Sequence, residues 1–260
     1  IAGTGISVGL AQAYGKEDNE AAEKIVRSGF QVNAFNCIAL MAFYLIFRNN
    51  IIGMYNLEPI LEQMTIDYFV IVTIGFIFIF STAAMSSAFY ARGNSITPFR
   101  ISLISLIINI ILDPILIFGI GPFPRLEIQG AALATVIAQI INALLYLYLG
   151  VKDREIYVRI NYSKTFNKES IKDVLRLGVP VSIQSIIHAL VGVKLNQYIA
   201  SYGSVGIAVY AIGSQIESIS WMSAEGFAKA FSAFFGQNYG RGNDNYYSSW
   251  NICNSFIMLF

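Results

Sequence analysis

Charged residues are scarce in this chain, and the few that occur are balanced in sign. Asp, Glu, Lys and Arg make up 13% of the 260 residues, whereas a soluble domain carries about 25%. Seventeen basic and sixteen acidic residues leave a formal net charge of +1. The scarcity argues against a soluble globular domain. The balance removes the bulk positive charge on which nucleic-acid binding depends, so we expect no nucleic-acid partner.

Cysteine and histidine are also rare. The two cysteines, Cys37 and Cys253, lie in apolar surroundings and read as small buried hydrophobic residues. With a single histidine, the sequence has neither a disulfide framework nor metal-ligand spacing. It also lacks His-Glu-x-x-His and a phosphate-binding glycine loop. A membrane-embedded enzyme is therefore disfavoured, and we expect no organic cofactor.

The sequence contains long apolar runs with few charged residues. The chain is 55% hydrophobic, with a mean hydropathy of +0.58, and its runs exceed the roughly 20 residues that a bilayer-spanning helix needs. The pattern predicts an all-α, polytopic membrane helix bundle. Residues 1–14 and 244–260 resemble parts of further helices, so we expect a fragment of a longer protein. Complete spans are predicted at 27–48, 66–91, 97–119, 128–151, 171–200 and 205–237.

Lys and Arg are unevenly divided between alternate connections. One set carries thirteen of them and the other set carries two. The positive-inside rule places the basic set in the cytoplasm, so we expect a multi-pass protein of the plasma membrane. The basic set comprises 15–27, 92–100, 152–176 and 238–245.

A short internal echo suggests two similar halves. Ala13-Tyr-Gly-Lys-Glu-Asp-Asn19 resembles Asn238-Tyr-Gly-Arg-Gly-Asn-Asp244, with the two tyrosines 225 residues apart. A repeat of that length is typical of transporters built from two pseudo-symmetric lobes. We predict a partial amino-terminal lobe at 1–151, a cytoplasmic connection at 152–170 and a partial carboxy-terminal lobe at 171–260.

Asp113 stands out because its neighbours from 101 to 118 are almost all aliphatic. A carboxylate inside a bilayer costs at least about 2.5 kcal/mol on insertion scales, which makes it a candidate functional residue. Asn109 lies one turn earlier on the same helical face. Pro114 follows and removes a backbone hydrogen bond, so we expect a hinge there. The pattern predicts a cation or proton site, although the two polar side chains could simply bond to neighbouring helices.

Several segments together resemble the MATE family of multidrug and toxic compound extrusion transporters. Their order and spacing carry the resemblance more than any single motif does. The segments are Ala91-Arg-Gly-Asn-Ser-Ile-Thr-Pro98, Asn109–Gly119, Ile128–Gln139, Leu177-Gly-Val-Pro-Val181 and Phe235–Asn243.

The resemblance implies a twelve-helix protein with two lobes around a central cavity, of which this chain would hold the end of helix 2 to the start of helix 9. It implies a monomeric antiporter in the lipid bilayer that exports small organic compounds, often cationic, in exchange for Na⁺ or H⁺. The alternative is a flippase for lipid-linked oligosaccharide or polysaccharide. Such flippases usually have a markedly basic cavity, whereas the intramembrane charges here have both signs.

For the amino-terminal lobe, the resemblance implies a Na⁺ site with ligands from Asn109, Asp113 and Thr135 and the carbonyl of Ala131. Oxygen ligands suit a hard cation such as Na⁺, and the same carboxylate could hold a proton when Na⁺ is absent. Thr135 could instead bond to its own helix.

For the carboxy-terminal lobe, the candidates for substrate contact or coupling are Gln184, His188, Lys194, Gln215 and Glu217. Some relatives have a glutamate where this chain has His188, so a carboxylate site is in doubt there. We expect Lys194 to pair with Glu217, because a buried cation needs an acid or a wet cavity. His188 could also be an ordinary core histidine.

Overall fold

The protein, as a computed structural model, is described for residues 2–53, 58–162, 167–200 and 202–242, which form eight helices and no strand. Five of these helices, α2 to α5 and α7, are long and apolar enough to cross a membrane. The all-α membrane bundle is therefore confirmed. The helices are α1 (Ala2–Gly15), α2 (Asn19–Gly53), α3 (Pro59–Ala91), α4 (Ile96–Phe118), α5 (Glu127–Lys152), α6 (Ile156–Arg159), α7 (Lys168–Ala200) and α8 (Gly203–Gly240).

The predicted span at 205–237 lies within α8, a continuous helix of 38 residues. Its length suffices to cross a bilayer, but α8 is not among the described helices that combine this length with a strongly apolar window. Gln215, Glu217, Glu225 and Lys229 lower its hydropathy. Such residues are typical of a helix that faces a bundle interior or a water-filled cavity along part of its length.

The described residues divide into two compact units. The terminal unit holds the residues up to Ile25, Tyr90–Gly93 and those from Asn167 onward, so that α1, α7 and α8 pack together. The central unit holds Val26–Phe89 and those from Asn94 up to 162. The lobe boundaries predicted from the sequence remain a prediction, and they group α1 differently from these contacts.

Small residues let α1 approach α7 in the terminal unit. A methyl group on Gly5 would lie 2.6 Å from the carbonyl oxygen of Val174, and one on Gly9 would lie 3.7 Å from the Leu177 side chain. Val174 is 1% exposed. One face of α7 is therefore covered by α1 near the start of the helix.

Helices α2 to α5 form the body of the central unit. The Asn33 side chain of α2 donates a hydrogen bond of 2.8 Å to the Phe80 carbonyl of α3. The Tyr44 ring lies edge-on to Phe69 and Phe76 of α3, with ring centroids 5.5 and 5.8 Å apart. Polar bonds inside a water-poor bundle and interlocking aromatic rings hold these helices in register.

The segment after α5 lies in the predicted connection at 152–170. It forms the short helix α6, and Tyr157 of that helix folds back against Gly150 at the end of α5. The Tyr157 side chain is 3% exposed. Its hydroxyl donates a 2.7 Å hydrogen bond to the Tyr146 carbonyl. The basic residues of this segment suggest a solvated loop, but its tyrosines supply enough apolar surface to pack.

Burial raises the pKa of the Tyr157 and Tyr162 phenols, and the nearby Glu155 carboxylate adds to the effect at Tyr157. The neutral phenols are therefore favoured in the folded state. Their contribution to stability is complete below the pKa of an unfolded tyrosine, about 10. It declines as the pH rises above that value, because the unfolded chain then releases protons that the folded chain retains.

We expect Tyr157→Phe to lower the free energy of unfolding by about 0.5–1.5 kcal/mol, since the hydrogen bond from its hydroxyl to the Tyr146 carbonyl is lost. The variant should also lose less stability than the parent protein between pH 9 and pH 11. Thermal unfolding of the full-length protein in detergent across this pH range measures both effects. Tyr148→Phe is the matched control, because Tyr148 lies on α5 and is 64% exposed. An equal loss in both variants would contradict the role given to Tyr157.

Candidate functional site

The structure brings Asn109 and Asp113 together on α4. The Asn109 amide nitrogen donates to one carboxylate oxygen of Asp113 at 3.4 Å, and both side chains are half-buried. The two side chains therefore share one face of α4, as their one-turn spacing predicts, and their role as an ion site stays a prediction. Pro114 lies inside α4, which continues as helix to Phe118. The hinge at Pro114 remains a prediction.

Helix α5 packs antiparallel to α4 at this site. Near one end, the Ser105 hydroxyl donates to the Ala138 carbonyl at 2.9 Å. Toward the other end, Gly130 lies against the backbone of Leu116. Interpolation between these two contacts places Thr135 level with Asn109. The predicted ligand residues on the two helices therefore share one depth in the bundle.

The Thr135 hydroxyl donates to the carbonyl of Ala131, one turn earlier on α5, at 3.1 Å. Among the described side chains, Thr135 and Asp113 make no hydrogen bond with each other. The structure thus shows the alternative, in which Thr135 bonds to its own helix. The hydroxyl oxygen keeps its lone pairs, so Thr135 can still contribute an oxygen ligand from this position.

A second polar cluster joins α7 and α8 in the terminal unit. The His188 and Trp221 rings have centroids 5.4 Å apart. The Trp221 indole nitrogen donates to a carboxylate oxygen of Glu217 at 3.2 Å. We call His188, Glu217 and Trp221 the indole cluster. All three are exposed among the described residues, so the cluster presents a carboxylate beside an aromatic face.

The expected pair between Lys194 and Glu217 is not formed. The Lys194 ammonium donates instead to the Gln197 side chain of its own helix, at 3.3 Å. The reason is rotational. Six residues separate His188 from Lys194, which turns Lys194 about 120° away from the side of α7 that meets Trp221.

Two further candidates are divided by the same helical geometry. Gln184 precedes His188 by one turn and shares its face, whereas Gln215 is rotated about 120° from Trp221 on α8. Only Gln184 can therefore extend the indole cluster. Gln215 and Lys194 lie outside it.

The ends of α1 and α8 cross where the sequence echo lies. The echo extends to a shared Gln-x-Tyr-Gly at 12–15 and 237–240. A methyl group on Gly15 would overlap the backbone of Gln237, and one on Gly240 would overlap the backbone of Gln12. The contacts are reciprocal between equivalent positions of the two copies. We call this contact the glycine crossing.

Polar contacts surround the glycine crossing within the terminal unit. The Arg92 guanidinium donates to the Tyr14 hydroxyl at 3.1 Å and lies 5.3 Å from the centre of its ring. The Gln237 side chain donates to the Ala91 carbonyl at 2.9 Å. The segment from Tyr90 to Gly93 thus connects the two helix ends that cross.

A third polar group lies in the central unit, and sequence reasoning missed it. The two carboxylate oxygens of Asp67 accept hydrogen bonds from Gln63 and Gln129, each at 2.9 Å. Beside them, Arg125 and Glu127 form an ion pair at 3.2 Å. These side chains join an end of α3 to the start of α5, which is a structural role. In the part of the chain that the structure describes, no three His, Cys, Asp or Glu residues form a metal-binding group.

The family model MatE matches residues 1–115 of the chain. The probable multidrug resistance protein YoeA of Bacillus subtilis (strain 168) is 31% identical over 244 residues, with 92% of this chain and 52% of the relative covered. The FAD transporter of Shewanella oneidensis is 25% identical over 240 residues, with 92% of this chain and 53% of that protein covered. The chain therefore spans about half the length of these curated relatives.

A crystal structure of MATE in the bent conformation has the same fold, with a TM-score of 0.83 at 23% identity; 93% of this chain and 54% of that chain are covered. The sequence relatives and the membrane-length helices both agree with a MATE fold. The chain belongs to the MATE family, whose members are multi-pass membrane transporters and not enzymes.

Proposed function

We propose that the protein is a secondary active antiporter that exports small organic compounds in exchange for Na⁺ or H⁺. The observation that supports this most is the contact between Asn109 and Asp113 in a helix that is otherwise aliphatic. An acid and an amide at one depth of a bilayer bundle offer oxygen ligands to a hard cation, or a carboxylate to a proton. The Bacillus relative, a probable multidrug resistance protein, agrees with an organic substrate.

Coupling follows if the ion and the substrate favour different arrangements of the helices. An ion shifts a conformational equilibrium only by its differential affinity for the two states. Asp113 supplies such a difference if its surroundings on α4 and α5 hold the ion well in one state only. The proposed hinge at Pro114 lies next to this carboxylate and could carry the change along α4.

The test is transport by the full-length protein in sealed proteoliposomes. We expect an imposed Na⁺ or proton gradient to drive movement of an organic cation, measured with tetraphenylphosphonium as the probe. The flippase alternative predicts instead that a labelled lipid-linked oligosaccharide changes leaflet, with no gradient-driven movement of the probe. The opposing charges of Asp113 and Lys194 within the apolar helices disfavour that alternative.

We propose that the basic connections face the cytoplasm of a plasma membrane and that the protein acts as a monomer without nucleic acid. The skewed distribution of Lys and Arg supports the orientation. Impermeant thiol labelling of single cysteines in the connections after α3 and after α4 tests it. In intact cells we expect the reagent to label the cysteine after α4 and to reach the cysteine after α3 only once the membrane is permeabilised, and the reverse pattern would reject the orientation.

We propose the indole cluster as a contact for a cationic substrate. The Trp221 face can hold an organic cation through a cation–π interaction worth about 0.5–2 kcal/mol. The Glu217 carboxylate adds charge attraction from the same face. The bond between the two side chains fixes the indole in place, which lowers the conformational entropy lost on binding.

We expect Trp221→Leu to weaken tetraphenylphosphonium binding by about 3- to 30-fold, as the loss of a cation–π contact implies. Trp221→Phe retains a ring and should lose less. Equilibrium binding to the purified full-length protein measures both. FAD serves as the anionic comparison, and its binding should not weaken in parallel. Equal weakening of both ligands, or none of either, would reject a cation-selective role for this face.

A further inference from the structure

The first third of α7 has one face that carries two parallel stripes. Lys168, Lys172 and Arg176 follow one another at intervals of four residues and form the cationic stripe. Ile171, Leu175 and Val179 follow at the same interval. Residues four apart lie on one side of a helix, so the two stripes run side by side. Together they line an open depression of about 560 Å³. We call this surface the two-stripe face.

The other side of this segment is occupied. Val174, Ser170 and Gly178 are buried, and Gly5 of α1 lies directly against Val174. The two-stripe face points away from that packing. Lys172 and Arg176 are exposed, and Val179 is 37% exposed. The helix is therefore anchored on one side and open on the other.

Among the described residues, the three cations of the two-stripe face form no ion pair with a carboxylate. Glu169 and Asp173 lie at the edge of the face beyond Arg176, so they do not neutralise the positive charge on the Lys168 side. A positive surface next to an apolar one matches a ligand with an anionic head and an apolar tail. A protein core would need neither the charges nor their regular spacing.

We infer that the two-stripe face binds an anionic phospholipid, with the phosphate beside Lys168, Lys172 and Arg176 and an acyl chain along the apolar stripe. The length of the two-stripe face suits a phospholipid, since the 11 residues from Lys168 to Val179 extend about 16 Å along the helix. The basic connections are proposed to face the cytoplasm, where membrane leaflets carry anionic lipid. Each basic residue near such a surface strengthens attachment about five-fold.

The experiment uses the full-length protein with Cys37 and Cys253 replaced and an environment-sensitive fluorophore on Val179→Cys. The protein is reconstituted into phosphatidylcholine vesicles that contain either brominated phosphatidylglycerol or brominated phosphatidylcholine. Bromine quenches only a fluorophore that it approaches closely. We expect half-maximal quenching at about ten-fold less phosphatidylglycerol than phosphatidylcholine at low salt, and a smaller preference at high salt.

Neutralising the stripe with Lys168→Gln, Lys172→Gln and Arg176→Gln should reduce the preference to less than about two-fold. The matched control changes three exposed basic residues of the preceding connection to glutamine, namely Lys152, Arg154 and Arg159. It should keep the preference. Thermal unfolding and size-exclusion chromatography confirm that both triple variants are folded.

Three outcomes would overturn the inference. The preference could survive in the stripe variant, which would mean that the cations do not select the lipid. Neither lipid could quench the fluorophore, which would mean that another segment of the full-length protein covers the face. Glycerol 3-phosphate at millimolar concentration could abolish the preference, which would mean that the phosphate alone is bound. None of these depends on transport, so the proposed function is tested separately.

Discussion

We expect Asp113→Asn to reduce gradient-driven transport by the full-length protein at least ten-fold. The amide retains the size of the side chain and its bond to Asn109, but it cannot carry a negative charge or take up a coupling proton. A Na⁺ ion at this depth would lose the carboxylate that offsets its own desolvation. The measurement is tetraphenylphosphonium movement in proteoliposomes under an imposed Na⁺ or pH gradient.

The stability of the same variant separates coupling from a structural role. An intramembrane carboxylate costs at least about 2.5 kcal/mol to insert, so Asp113→Asn should unfold at the same temperature as the parent protein or higher. A lower unfolding temperature would mean that the carboxylate holds helices together. Asp67→Asn is the matched control because it makes the same change in the central unit, at a carboxylate that bonds to Gln63 and Gln129. The transport rate of the Asp67→Asn variant should change by less than about two-fold.

The residues around Asp113 also show how far sequence reasoning reaches. Helical periodicity is enough to place Asn109 beside Asp113, because a one-turn spacing fixes the geometry locally. It cannot say whether the Thr135 hydroxyl points toward α4 or toward its own carbonyl at Ala131. That choice depends on side-chain rotation, which the packing of α4 against α5 sets.

The failed pairing of Lys194 with Glu217 has a similar cause. The two residues lie at comparable depth, as the sequence suggests, but contact also requires that both helices turn the right face to each other. The rotation of α7 and α8 is fixed by contacts such as Gly5 against Val174, which join segments far apart in the chain. The role of Trp221 in the indole cluster escapes the sequence for the same reason.

Composition misleads in the segment after α5. Its basic residues predict a solvated connection, and this average conceals Tyr157, whose ring is buried against Gly150 and bonded to Tyr146. A single aromatic residue can reorder a short segment when a glycine provides room for it. The helices themselves, in contrast, follow from the long apolar runs, because burial of a run in a bilayer leaves the backbone few alternatives to a helix. Their bounds follow less closely, since the span predicted at 27–48 lies within the longer α2 (Asn19–Gly53).

We expect Gly15→Ala to impair transport by about ten-fold, with Gly240→Ala having the same effect. Even one methyl group at either position overlaps the backbone of the opposite helix, and overpacking of this kind costs about 1–3 kcal/mol. We expect the glycine crossing to close one end of the protein in one state of an alternating-access cycle and to open in the other. Each alanine therefore disfavours the closed state by roughly 5- to 150-fold.

The reciprocal geometry makes the double variant informative. Once one methyl group has separated the helices, the second adds little, so Gly15→Ala with Gly240→Ala should impair transport about as much as either alone. A cysteine replacing Ala13, which is 3% exposed, should react with a water-soluble thiol reagent several-fold faster in all three variants. Gly213→Ala is the control, because a methyl group there meets nothing within 4 Å among the described residues. Additive losses, or unchanged labelling of the cysteine, would show that the two echo segments touch without forming a closure.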